Sequence, residues 1–224
     1  MSVAATIKSV ILCQLRAAVR GLVLPGMWPR ATGFLRSARE GRSVDRDGNP
    51  VPWLTMAATD LLERRMPHGC RVLEWGAGAS TAWFLGCGCD VVSIEHDAAW
   101  AAWVRGQARG SIGNLRLAVY DRTDTAYVDP PEAVGPFDVV LIDGAGRRDE
   151  CASTVLRRSL CKPHGVVIVD NTNKPGPAAA IEAFRRQGWR VLPLAGVTRG
   201  YWQQSETSIC YRRGDVLGLW PTGG

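Results

Sequence analysis

The strongest chemical signal in the chain is a set of carboxylate and amide side chains that follow short apolar runs. Asp143 follows the run 139–142, and Asp170 with Asn171 follows the run 166–169. Continuous apolar runs of this length are typical of strands buried on both faces of a parallel sheet. Since the carboxyl ends of parallel strands share one edge, we expect the three side chains to meet there. Their oxygens are ligands that suit Mg²⁺ or Ca²⁺.

A second group of polar residues surrounds a glycine-rich turn. The motif Glu74-Trp75-Gly76-Ala77-Gly78 follows the apolar pair Val72-Leu73 and precedes Ser80-Thr81. This order predicts a strand, a tight turn and a helix whose N-cap is one of the two hydroxyl residues, with backbone open to a nucleotide-like ligand. An acid before the glycines fits poorly with a pyrophosphate, and Thr81 stands where a dinucleotide site has a small residue. The turn therefore favours a ligand with a cationic or amino-acid end.

Further candidate residues follow the next two predicted strands. Glu95 ends the second strand, where a carboxylate can bind both hydroxyls of a ribose or cap the following helix. Asp97 is predicted to be the N-cap of that helix. His96 could pack near an adenine, approach a substrate or be solvated. Asp121 follows the third strand and is a further candidate contact.

The elements that must position these residues alternate between strand and helix from residue 70 onward. This alternation predicts a doubly wound α/β sheet, mostly parallel. The last two strand candidates, 189–193 and 207–211, have no helix between them and predict an antiparallel pair at the sheet edge. Residues 1–50 are predicted to be an extension with an amphipathic helix and a loop-rich segment. Residues 51–224 are predicted to be the main domain.

Composition limits the classes of partner. The formal net charge of +6 comes with arginine pairs that are scattered along the chain, so we expect solvated helix faces and no nucleic-acid partner. Seven cysteines without a C-x-x-C pair indicate reduced thiols and a cytoplasmic protein. Charges interrupt the apolar positions of the N-terminal helix, so it is predicted not to span a membrane. It could join two copies into a homo-oligomer, pack on the domain or lie on a membrane surface.

The stretch from Val51 to Arg212 resembles the class I S-adenosylmethionine (SAM) methyltransferases, through the Glu74–Gly78 motif, Glu95 and the order of strands and helices. The resemblance implies a Rossmann-like methyltransferase sheet and SAM as the cofactor. The residues that it implies as cofactor contacts are Glu74, Gly76, Ala77, Gly78, Ser80, Thr81, Glu95, His96, Asp121 and Asp143.

Asp143 with Asp170-Asn171 is also similar to the metal triad of the cation-dependent O-methyltransferases, such as the catechol enzymes. This similarity implies Mg²⁺ bound by Asp143, Asp170 and Asn171, where it would lower the pKa of an acceptor hydroxyl. Those enzymes usually have a lysine base shortly after the first aspartate, whereas this chain has Arg147 and Arg148. Arginine cannot act as a base, so Arg147 is predicted to bind an anionic substrate, or another group takes the proton. Alternatively, the two aspartates act without metal.

These observations together predict a SAM-dependent methyltransferase that modifies a hydroxyl group of a small molecule, with Asp143, Asp170 and Arg147 as catalytic candidates. Methylation of nitrogen or of RNA is the alternative within the same class. A SAM- or nucleotide-binding protein without catalysis is the alternative from another class. Thr81 and Glu74 disfavour a nicotinamide oxidoreductase.

Overall fold

The computed structural model describes residues 28–220 together with Arg16 and Val19. Apart from those two residues, the N-terminal amphipathic helix lies outside the described residues. The helices within residues 28–220 are α1 (Trp28–Ala31), α2 (Phe34–Glu40), α3 (Met56–Arg65), α4 (Ala79–Gly86), α5 (Ala98–Gln107), α6 (Thr125–Val128), α7 (Arg148–Arg157) and α8 (Pro175–Arg186). The strands are β1 (Arg71–Trp75), β2 (Asp90–Glu95), β3 (Leu115–Val119), β4 (Phe137–Ile142), β5 (Cys161–Asp170), β6 (Arg190–Thr198) and β7 (Tyr201–Tyr211).

The seven strands form one sheet in the order β3-β2-β1-β4-β5-β7-β6. Strands β1 to β5 are parallel, and β7 runs antiparallel to both of its neighbours. In the register of the sheet, Trp75 lies beside Ile142 and Ile142 lies beside Val169. The residues that follow β1, β4 and β5 therefore lie side by side at one edge. The predicted Rossmann-like, mostly parallel sheet with an antiparallel edge is confirmed.

Helices cover both faces of the sheet and complete two apolar clusters. Every residue of β4 is buried, as expected for a central strand that is covered on both faces. Trp75 and Phe184 lie in the cluster on one face, and Leu73 also contributes to it. Phe84 and Leu62 lie in the cluster on the other face. Because the core fixes the strands rigidly, the loops at their carboxyl ends are held in defined positions.

The first turn of α4 differs from the prediction. We call residues 76–79 the glycine turn. Gly78 is the N-cap, and Thr81 Oγ1 accepts the Gly78 N–H at 2.9 Å. The predicted N-cap hydroxyls, Ser80 and Thr81, instead lie inside the first turn of the helix. Gly76 has a φ of 94°, and a Cβ at this position would lie 2.9 Å from the backbone of Asp143. Only glycine lets the turn pack this closely on the end of β4.

The terminal hairpin is longer than predicted, because β6 and β7 extend to Thr198 and Tyr201. The extension is paired to Thr55 through an isolated bridge at Thr198. Its aromatic tip packs on the N-terminal part of the chain, where the ring centroids of Phe34 and Trp202 are 4.4 Å apart. The sequence prediction missed this extension because its residues mix small, polar and aromatic types and are at least partly exposed, so they form no continuous apolar run.

Residues 41–55, which we call the connector, join α2 to α3 and cross the carboxyl edge of the sheet. Arg199 at the hairpin turn donates from Nε to the carbonyl of Thr32 at 2.8 Å. Trp53 Nε1 donates to the carbonyl of Arg199 at the same distance. These contacts hold the connector over the sheet edge. Within the described residues, no helix is long and apolar enough to cross a membrane.

Candidate active site

A cavity of about 440 Å³ lies at the carboxyl ends of β1, β2 and β4. The connector, the glycine turn, the start of α5 and the loop between β4 and α7 surround it. The lining residues are Arg42, Ser43, Trp53, Gly76, Ala77, Gly78, Ala79, Ser80, Glu95, His96, Asp97, Trp100, Trp103, Asp143, Ala145 and Arg148. Ligands of doubly wound sheets bind at this edge, which makes the cavity the candidate active site.

Glu74 lies beneath the glycine turn and is fully buried. Its carboxylate accepts hydrogen bonds from the hydroxyl groups of Ser80 and Thr81, and from Ser93 Oγ at 2.9 Å. Burial raises the pKa of Glu74 to about 7, although the three hydroxyl donors favour its charged form. Because Glu74 does not line the cavity, it organises the turn from below, whereas the sequence predicted a direct ligand contact.

Glu95 ends β2 and is only 3% exposed. Its Oε1 accepts the backbone N–H groups of His96 and Asp97 at 2.7 and 2.9 Å. Within the described part of the chain, Oε2 accepts no hydrogen bond, so one oxygen of this carboxylate is free to bind a ligand hydroxyl. His96 Nδ1 is buried at the same wall and lies 2.6 Å from Glu95 Oε1. Asp97 is the N-cap of α5, as predicted.

Asp143 and Asp170 come together at the ends of β4 and β5, as predicted, and Arg148 lies against both. Arg148 Nη2 is 2.8 Å from Asp143 Oδ1, and Nη1 is 3.7 Å from Asp170 Oδ2. Burial raises the pKa of Asp143 well above its usual range, and the Asp170 charge raises it further, while Arg148 opposes the shift. Burial also raises the pKa of Asp170 against the hydrogen bond from Thr207 Oγ1, which is 2.6 Å long.

The three residues predicted to bind Mg²⁺ do not fit a divalent cation in this arrangement. Arg148 already supplies the positive charge beside the two carboxylates. Asn171 has a φ of 57° and donates from Nδ2 to Ser205 Oγ at 2.9 Å, so its side chain faces the hairpin. No group of three acidic, histidine or cysteine side chains in the described residues could hold a metal ion.

Arg147 and Asp121 also lie outside the cavity lining, as do Thr81, Asp170 and Asn171. Arg147 has a φ of 51°, which turns its side chain away from that of Arg148. It pairs with Glu150 at 2.7 Å and donates to the backbone carbonyls of Arg122 and Asp124. Asp121 is exposed and accepts hydrogen bonds from the backbone and side chain of Thr123. It therefore organises the loop after β3.

The sequence prediction assigned no role to several polar or aromatic residues that line the cavity. Among them are Arg42, Ser43, Trp53, Trp100, Trp103 and Arg148. Trp100 donates from Nε1 to the carbonyl of Ala77 at 2.6 Å and stacks on Trp103, with the ring centroids 4.6 Å apart. The spacing of Trp100 and Trp103, three residues apart on the helix after Glu95, is the signal that could have indicated them.

No protein-family model matches the chain. No curated protein matches it either.

Solved structures of methyltransferases are similar to the chain. TomG, an O-methyltransferase from Streptomyces achromogenes in complex with SAM, is 16% identical with a TM-score of 0.54, over 88% of this chain and 95% of that chain. An O-methyltransferase from Bacillus cereus, in complex with SAH, is 16% identical with a TM-score of 0.54, over 87% and 96%. The 1,6-didemethyltoxoflavin-N1-methyltransferase of Burkholderia thailandensis is 16% identical with a TM-score of 0.51, over 81% and 86%.

These similarities concern the fold. Together with the strand order and the position of the cavity, they give the chain the fold of the class I SAM-dependent methyltransferases, as the sequence predicted. The similar structures include both O- and N-methyltransferases, so the acceptor atom has to be argued from the site itself.

Proposed function

We propose that the chain is a SAM-dependent methyltransferase that transfers the methyl group to a hydroxyl of a small molecule. One observation carries the proposal: a backbone-lined glycine turn, an acid with a free oxygen and a partly buried acid of raised pKa line one cavity. The turn and Glu95 form the wall suited to a cofactor. Asp143 is the partly buried acid, with a side chain that is 23% exposed.

The wall offers groups that fit SAM. Glu95 Oε2 can accept a hydrogen bond from a ribose hydroxyl, a charge-assisted contact. His96 Nδ1 lies 2.6 Å from Glu95 Oε1 and helps to hold this carboxylate in place, which leaves Oε2 for the ligand. Gly78 leaves backbone open, since a Cβ there would meet only Trp100 Nε1 within 4 Å, at 3.9 Å. When bound, SAM supplies a methyl group on a positively charged sulfur, ready for transfer to a nucleophile.

Asp143 is placed to take the proton of an acceptor hydroxyl. Its raised pKa makes its carboxylate a stronger base than an exposed aspartate. Arg148 holds Asp143 Oδ1 in one position, and this fixed geometry orients the base towards the cavity. An acceptor without its proton carries negative charge on oxygen and is a better nucleophile.

The cavity supports a small acceptor. Its volume of about 440 Å³ is within the range of small-molecule sites, about 300 to 1,000 Å³. The connector contributes Arg42, Ser43 and Trp53 to the cavity lining. The ring of Trp53 packs against Tyr201, with the ring centroids 5.5 Å apart. We therefore propose that the acceptor binds between the connector and Asp143.

Calorimetry tests the cofactor, and a screen tests the acceptor. We expect SAM and its demethylated product to bind the full chain at micromolar concentrations, with no binding of NAD. Hydroxylated metabolites are then screened with SAM labelled in its methyl group. No binding of SAM or its product at high micromolar concentration would reject the function. Labelled product bearing the methyl group on nitrogen would reject the hydroxyl acceptor alone. Binding without transfer to any compound would favour the non-catalytic alternative.

A further inference from the structure

Arg148 is the first residue of α7, and its guanidinium is almost fully engaged at the acidic rim. Nε donates to the carbonyl of Gly144 at 2.9 Å, and Nη1 donates to the carbonyl of Asp170 at 2.5 Å. Nη2 donates to both the carbonyl and Oδ1 of Asp143, at 3.1 and 2.8 Å. Its side chain is only 12% exposed. These contacts fasten the end of β4 to the end of β5.

We propose that Arg148 occupies the place of a divalent cation at this rim, so that the proposed methyl transfer needs no metal ion. Resting on the proposed function, the inference adds that Arg148 is a positioning residue, which holds Asp143 for the acceptor. Two carboxylates that share a partly buried site repel each other, and a shared proton or a nearby positive charge relieves this repulsion. The guanidinium supplies that charge permanently, because arginine stays protonated.

Two other oxygen atoms at the rim already accept hydrogen bonds from neighbouring side chains. Asp170 Oδ1 accepts from Thr207 at 2.6 Å. Asn171 Oδ1 accepts from Lys174 Nζ at 3.3 Å. A divalent cation would have to displace Arg148 and separate it from three backbone carbonyls. Charged and fixed in this way, the guanidinium excludes the ion both by charge repulsion and by occupying the space.

The backbone before Arg148 explains why the second of two adjacent arginines fills this position. Arg147 is in the left-handed region, with a φ of 51°, at the N-cap of α7. The helix therefore begins with a change of direction that sends Arg147 to Glu150 and the loop after β3. Arg148 is the first side chain after this change, and it points to the two aspartates.

Metal binding by the wild-type chain gives the first test, and it needs no acceptor. Mn²⁺ is titrated into the protein, and free Mn²⁺ is followed by electron paramagnetic resonance, with Asp170→Asn as the comparison. We expect the wild type to show no saturable Mn²⁺ site that is missing in Asp170→Asn. A saturable wild-type site that disappears in Asp170→Asn would overturn the inference. So would turnover that is abolished by EDTA and restored by Mg²⁺.

Arg148→Ala gives the second test, with Arg157→Ala as its control. Arg157 is on the same helix and pairs with Asp129 at 2.7 Å, outside the cavity lining. We expect Arg148→Ala to lower kcat at least 100-fold with SAM affinity within threefold, and Arg157→Ala to leave kcat unchanged. Added guanidinium should raise the kcat of Arg148→Ala at least tenfold, whereas methylammonium at equal ionic strength should not raise it. A kcat within threefold of wild type, or equal rescue by both cations, would overturn the positioning role.

Arg148→Lys is the second variant, to be measured if Arg148→Ala does not fold. Lysine retains one positive charge but cannot bridge both aspartates and the carbonyls, so we expect at least a tenfold loss of kcat. Unchanged kcat in Arg148→Lys would overturn the positioning role. If the wild-type chain binds SAM and also has the Mn²⁺ site, the proposed function stands and the inference about Arg148 is wrong. If the chain binds no SAM, the proposed function is wrong, whatever the Mn²⁺ titration gives.

Discussion

Glu74 is enclosed by three hydroxyl donors beneath the glycine turn, and its replacement by glutamine should change how the stability of the fold depends on pH. Burial raises the pKa of this carboxyl from 4.5 in the unfolded chain to about 7 in the folded chain. The folded state therefore binds the proton more tightly than the unfolded state. The resulting stability is fully present below pH 4.5 and is lost as the pH rises through about 7.

The size of the effect follows from the two pKa values. Each pKa unit corresponds to about 1.4 kcal/mol. Ionisation of Glu74 should therefore lower the unfolding free energy of the wild type by about 2 to 3 kcal/mol as the pH rises from 5 to 8. Glutamine has nearly the same shape and does not ionise. The unfolding free energy of Glu74→Gln should therefore rise by that amount relative to the wild type over the same interval.

Urea unfolding at pH 5 and pH 8, followed by tryptophan fluorescence, measures this difference. Trp75, next to Glu74, is fully buried and reports on the core. Glu182→Gln is the control, because it removes a half-exposed carboxylate on α8 that pairs with Arg185. Taking the difference between variant and wild type cancels the contribution of Asp170, whose pKa is also raised. The Glu74 charge raises the pKa of Asp143, so this coupling is part of the measured difference. An equal pH dependence in Glu74→Gln and wild type would refute the reasoning.

Three further predictions concern the cavity. Glu95→Gln should weaken SAM binding by about 1.5 to 3 kcal/mol, the value of a hydrogen bond to a charged group, and unchanged affinity in calorimetry would leave Glu95 as a cap alone. Gly76→Ala should destabilise the fold by about 1 to 3 kcal/mol in urea unfolding, because its φ is 94° and its Cβ would meet the Asp143 backbone. Gly86→Ala, where a Cβ meets nothing within 4 Å, should not destabilise it, and equal effects of the two would contradict the strain argument. Asp143→Asn should lower kcat by about 10²- to 10⁴-fold with SAM affinity within threefold, and wild-type turnover would exclude Asp143 as the base.

The central sheet was predictable because burial on both faces demands continuous apolar sequence. The run 139–142 lies within β4, which is fully buried, and the run 166–169 lies within β5. The glycine turn and the meeting of Asp143 with Asp170 followed from the same reasoning, since parallel strands end at a common edge. The hairpin extension had no such signal, because its residues at the sheet edge are of mixed type and are stabilised by pairing between β6 and β7 and with Thr55.

Local sequence patterns were enough to predict the fold class, the turn and the edge of the sheet at which polar residues gather. Which of those residues face the cavity depends on contacts in the folded chain. Glu74 is directed beneath the turn by three hydroxyl groups, and Arg148 rather than Arg147 reaches the aspartates because of one left-handed residue. Strand periodicity is a local property that the sequence encodes directly. Side-chain direction at a turn depends on backbone angles and on partners far along the chain, which a local pattern does not contain.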